Sequence, residues 1–86
     1  PASAEDVRRA VITSVAGSEV GLLTDDGPDC VTVVATTRID LVTCSPSGCV
    51  SQPVGIGALA PGQQAVATGT RSGNACVVAD RIVAFQ

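Results

Sequence analysis

Hydrophobic and polar residues alternate in short runs along this chain, and Gly, Pro, Asp and Ser separate the runs. Alternation with a period of two places one set of side chains in a core and the other in water, as in a strand covered on one face. The clearest run spans Cys30 to Thr43. Val31, Val33, Ala35, Ile39 and Leu41 take the odd positions, and Thr32, Thr36, Arg38 and Asp40 the even ones. This predicts burial for Val31, Val33, Ile39 and Leu41 and exposure for Thr32, Arg38 and Asp40. Val34 and Val42 break the rule, which implies an outer face that is partly covered. The length of the run predicts a bend or bulge near Thr36-Thr37. Two runs precede it, Arg8–Ala16 and Glu19–Thr24. In the first, Val11, Thr13 and Val15 share one face and Ala10, Ile12 and Ser14 the other. Gly17-Ser18 reads as the hairpin turn between them and Asp25–Asp29 as a longer turn.

Downstream, Cys44-Ser-Pro-Ser-Gly-Cys49 reads as a loop by composition. The segment 52–62 holds two Pro and three Gly, enough to allow one helical turn around Ile56–Leu59 and no long helix. Pro61-Gly62 launches a strand over Gln63–Thr70, and Ser72-Gly73-Asn74 turns the chain into a last run, Ala75–Phe85. There the alternation slips. Val77, Val83 and Phe85 are odd, Val78 and Ile82 even, so the run either carries a bulge near Asp80 or is buried on both faces. Three strands, an irregular connector and two strands predict an all-β fold, a small five-stranded closed or partly open OB-like barrel, because closure removes exposed edges. The expected organisation is a flexible N-terminal arm over residues 1–7 and a single barrel domain over 8–86.

Eighty-six residues suffice for one domain, and hydrophobic residues make up 45% of it. They are small, dominated by Val and Ala. Phe85 is the single aromatic and is expected to plug the barrel. The net charge is −3, with five Arg and neither Lys nor His. Without His there is no His-based acid–base catalysis and no His metal ligand. Scattered Arg in an acidic chain form no basic stripe, and one aromatic makes no stacking platform, so a nucleic-acid partner is not expected. No apolar run reaches the length of a membrane helix, so membrane insertion is not expected either. Pro1–Arg9 lacks the apolar stretch of a signal peptide, so an exported protein would be represented here by its mature form or by an excised domain.

Four Cys, at 30, 44, 49 and 76, suggest two disulfides and an oxidising compartment. In the barrel proposed, the third and fifth strands run parallel side by side, with Cys30 and Cys76 at their starts. Of the three pairings, this favours Cys30–Cys76 with Cys44–Cys49. Zinc is the competing reading, but the separations lack paired Cys-x-x-Cys knuckles. A redox pair is another, but no Lys or His stands beside a thiol to lower its pKa.

Asp25, Asp26 and Asp29 could gather a calcium ion. Their spacing departs from the EF-hand loop, and a solvated turn with Asx-type hydrogen bonds is the simpler reading. Ser and Thr lack a basic partner, and nothing places a pair such as Glu19 and an Asp across a cleft. No catalytic residue, cofactor or metal ligand is assigned, and the chain is not expected to be an enzyme.

Three short motifs occur in order: Thr13-Ser14-Val15-Ala16-Gly17 at the end of the first strand, Leu59-Ala60-Pro61-Gly62 followed by Gly69-Thr70, and Ala79-Asp80-Arg81-Ile82. Together they resemble the small OB-like domains of unknown function in exported and surface-attached bacterial proteins, across Arg8–Phe85. The resemblance implies a barrel and an extracellular or cell-surface location, and no catalytic residues. The four Cys depart from that family. A looser similarity, in composition and in the short Cys44–Cys49 loop, is to the binding proteins for enediyne antibiotics of actinomycetes. Two functions are therefore expected to compete. One is a non-catalytic module acting by protein–protein contact, as a repeated building block of a surface assembly with copies of itself as partners. The other is a carrier for a small apolar ligand.

Overall fold

Alternation, turn chemistry and two cross-links produce seven strands: β1 (Ala2–Ala16), β2 (Glu19–Thr24), β3 (Gly27–Thr32), β4 (Arg38–Ser45), β5 (Gly48–Pro53), β6 (Gln64–Ser72) and β7 (Val77–Phe85). A 3-10 turn at Ile56–Ala58 lies between β5 and β6. The computed structural model describes residues 10–86 in full and only the backbone of 2–9, within β1. The side chains of the expected arm, residues 1–7, lie outside the described residues; the backbone of Ala2–Val7 pairs antiparallel with Ser72–Ala67 of β6.

The sheet order is β3-β2-β1-β6-β7-β4-β5, and a further pairing of β3 with β7 closes it. Strands β1, β2, β3, β7 and β6 thus form a five-stranded barrel of OB-like order, with its closing seam parallel. Val31 lies opposite Val77 and Thr32 opposite Val78 along that seam. The chain then leaves β7 for a few residues and returns to the same edge as β4, in parallel register from Arg38↔Arg81 to Val42↔Phe85. The single long run of the sequence is therefore two strands around a break at residues 33–37, where a bend was expected. Thr37 holds the break. Its hydroxyl donates to the Ala79 carbonyl at 2.6 Å and accepts from the Val34 amide at 2.9 Å.

The core follows the predicted parity where the strands are regular. Ala10, Ile12, Val20, Leu22, Val31, Ile39, Leu41, Val77, Ile82 and Ala84 are buried, and no polar or charged side chain joins them among the described residues. Val33, expected in the core, is only half-buried because it falls in the break. Thr32 and Asp40, expected in water, are half-buried, while Arg38 is exposed as expected. Asp40 is covered by Arg81, whose guanidinium lies 3.3 Å from its carboxylate.

Two irregularities shift the parity. Thr13 is an extra residue in β1 between Ile12↔Leu22 and Ser14↔Gly21, so Val15 turns back toward the core that Val11 faces away from. Asp80 is an extra residue in β7, since Thr68 pairs with Arg81 and Gly69 with Ala79. Inward positions are thus Val77 and Ala79 before the bulge and Ile82 and Ala84 after it. The bulge near Asp80 is the one the sequence suggested, but it also moves Phe85 outside. Phe85 is 40% exposed and is not the barrel's plug. Gly69, opposite the bulge, lies so close to β7 that a Cβ there would collide with the Val78 carbonyl.

The connector adds to the core. Leu59 is buried, and Val54 and Ile56 pack against the core. The connector is tied to β1 by Gly62 N–H to Ile12 O and Ile12 N–H to Gln63 O, both 2.8 Å.

Candidate interaction surface

Cys30 bonds Cys76 and Cys44 bonds Cys49, the pairing that the strand order favours. The first links the parallel seam one position before Val31↔Val77, with Cα atoms 4.9 Å apart. The second joins directly opposed residues of β4 and β5, with Cα atoms 4.0 Å apart. Two disulfides in so short a chain indicate an oxidising environment.

The Asp cluster is divided between two tasks. Asp29 accepts from the Arg71 guanidinium at 2.6 Å and from the Cys30 amide at 2.7 Å. The Arg71 hydrogen bond, aided by the Cys30 amide, holds its carboxyl below the usual carboxylate range against a partial cost of burial. Asp25 and Asp26 are exposed in the β2–β3 turn, where the Thr24 hydroxyl donates to Gly27 O and accepts from the Asp26 amide. The grouping works as an ion pair and a turn.

The outer surface carries one row that crosses every strand. Pro28, Leu23, Val11, Gln64, Phe85, Val42 and Ser51 are successive cross-strand partners, so they share a face. Leu23, Val11 and Phe85 are 50%, 37% and 40% exposed. The loops with which OB barrels commonly grip ligands, after the first strand and before the last, are here the short turns at Gly17 and Gly73.

The feature that sequence reasoning missed is the hairpin of β4 and β5. The segment Cys44–Cys49, expected to be a loop, is its tip, and β5 was not expected at all. Every residue from Thr43 to Pro53 is exposed, including the disulfide. Beyond Val42 this hairpin adds nothing to the core, yet it is covalently locked. Isolated two-stranded hairpins are marginal in water, so the cross-link supplies the rigidity that burial does not. Val50, at 65%, is the most exposed large hydrophobic residue described.

A signal for this surface was present in the sequence. None of the five Arg and eight Asp or Glu falls between Leu41 and Thr70. Roughly a quarter to a third of a typical soluble surface is charged. Here one whole projection of the molecule is neutral. The Val42 carbonyl accepts from Gln86 N–H, and Val54 N–H donates to the Ile39 carbonyl, so β4 is engaged on both edges. Among the described residues, the outer edge of β5 has no strand beside it. No helix among the described residues is long and apolar enough to cross a membrane. Comparison with known proteins returns no matching family model, no matching curated protein and no matching solved structure.

Proposed function

We propose that this protein is a non-catalytic extracellular β-barrel module that acts by protein–protein contact, as a repeated building block of a surface assembly. The observation that carries this reading is the β4–β5 hairpin: wholly exposed from Thr43 to Pro53, free of charge, and locked by Cys44–Cys49. A rigid segment that adds nothing to the core of its own chain is suited to a partner, because its ordering cost is met before binding. The absence of charged side chains from this segment keeps the charges of copies that each carry −3 away from the contact and so weakens their repulsion. The two disulfides fit a location outside the cell or on its surface.

Solution mass across concentration, with and without a hydrophobic dye as apolar probe, is the test. An assembly module gives multiples of the 8.5 kDa chain. A carrier of small apolar ligands gives a monomer at every concentration whose spectrum shifts on binding the dye, and that result would overturn the reading.

A further inference from the structure

The backbone of β5 specifies how such a contact would form. The Val54 amide donates to the Ile39 carbonyl at 2.9 Å, which makes these residues a hydrogen-bonded pair of the β4–β5 ladder. Hydrogen-bonded pairs recur every second residue in antiparallel strands. Leu41↔Gln52, Thr43↔Val50 and Ser45↔Gly48 are therefore hydrogen-bonded, and Val42↔Ser51 and Cys44↔Cys49 are not. The 4.0 Å Cα separation of Cys44 and Cys49 agrees, since non-hydrogen-bonded pairs are the closer kind. The N–H and C=O groups of Cys49 and Ser51 thus point away from β4, to the open edge.

Natural sheets guard such an edge with charges, bulges or Pro. Between Gly48 and Gln52 there is no charge and no Pro, and β5 pairs with β4 without a register shift. Pro53 follows, and its missing N–H stops any further ladder at that end.

Resting on the protein-contact reading above, we infer that β5 pairs antiparallel with β5 of a second copy across a two-fold axis at Val50. In this register Cys49 lies opposite Ser51 of the other copy and Ser51 opposite its Cys49. These are the residues whose backbone groups face outward, so each of the two pairs exchanges two hydrogen bonds. Val50 then faces Val50 as a non-hydrogen-bonded pair, the geometry in which side chains approach most closely. Gly48 lies opposite Gln52 and leaves room for it. A two-fold contact must be self-complementary, and a neutral strand with its apolar residue on the axis meets that condition. A strongly charged partner would find nothing here to pair with.

The experiment is sedimentation of the full oxidised chain and three variants. Val50→Lys puts like charges across the axis. Ser51→Pro removes an outward N–H that the hairpin itself does not use, so the fold is retained. Val34→Lys makes the same change at another exposed valine, in the break beyond the opposite end of β4. The unmodified chain is expected to give a concentration-dependent mass of twice the monomer. Val50→Lys and Ser51→Pro should each weaken the dimer by roughly tenfold or more, and Val34→Lys should leave it unchanged. Multiples that persist in both β5 variants overturn this pairing and leave the contact reading standing on another surface. A monomer at every concentration, indifferent to the dye, overturns the second copy as occupant and leaves the edge to an extended segment of another protein. A monomer that binds the dye overturns both.

Discussion

Removing the two disulfides separately should have unequal effects, because they close loops of very different length and hold different parts of the fold. The perturbations are the paired substitutions Cys30→Ala with Cys76→Ala, and Cys44→Ala with Cys49→Ala. For a sequence separation of 46, loop-closure entropy predicts a loss of about 4 kcal/mol. For a separation of 5, the same relation gives about 2 kcal/mol. Location widens the gap. Cys30–Cys76 sits on a parallel seam with only Val31↔Val77 and Thr32↔Val78 beside it, so its loss frees the edge that closes the barrel. Cys44–Cys49 lies on a hairpin outside the barrel, which can fray without opening the core. A domain of this size has roughly 4–13 kcal/mol of total stability, so the seam variant should lose from about a third to all of it. Urea titration followed by far-UV circular dichroism is the appropriate assay, because the chain has neither Trp nor Tyr for fluorescence. The reasoning is refuted if the hairpin variant loses as much stability as the seam variant, or if the seam variant stays within about 1 kcal/mol of the parent.

Gly69→Ala should destabilise by at least about 2 kcal/mol, since its Cβ meets the Val78 backbone, which cannot move aside as a side chain could; thermal unfolding checks this, and a neutral result would show that the β6–β7 bulge is looser than described. Val77→Ala should cost about 2 kcal/mol and Val78→Ala less than about 1, because the first is fully buried and the second is 41% exposed; equal losses in urea titration would contradict the register of the seam. Asp29 has a depressed carboxyl pKa, so its contribution is present above the unfolded value near pH 4 and fades as the pH falls through the lower folded value. Asp29→Asn should therefore cost about 1 kcal/mol at pH 7 and flatten the acid limb of the stability profile; an unchanged profile would mean that the Arg71 pair contributes nothing.

Much of the barrel was legible because it rests on local rules. The alternation of Val31, Ile39 and Leu41 reports which face is covered, and the Gly-containing turns report where strands end. The order of strands was then enough to bring Cys30 to Cys76. Phe85 was misplaced because the sequence left two readings of the last run open, a bulge near Asp80 or burial on both faces, and an extra residue reverses the parity of everything after it. Strand β5 was not legible. Gly-Cys-Val-Ser-Gln-Pro has one large apolar residue and no alternation, and it becomes a strand only through pairing with β4 and the Cys44–Cys49 link. Alternation reports burial, so a strand that buries nothing is invisible to it. The absence of charge from Leu41 to Thr70 was the readable sign, and it concerns partners more than fold.

The attachment of both β3 and β4 to one edge of β7 has a consequence for how the chain reaches this state. β7 is the last strand of the barrel in chain order, and it carries the pairings with β6, β3 and β4. During synthesis the β1–β2–β3 meander and the β4–β5 hairpin can form from near neighbours, but nothing joins them until β7 emerges. Their apolar faces, Val20, Leu22 and Val31 on one piece and Ile39 and Leu41 on the other, wait for that strand. Closure across so many residues is slow relative to local pairing. Cys44 and Cys49 therefore meet early, while Cys30 waits for its partner as a free thiol that can exchange with the disulfide they form. Oxidation that is withheld until the final strand has docked would protect the native pairing, and refolding the reduced chain before oxidising it should serve the same end in vitro.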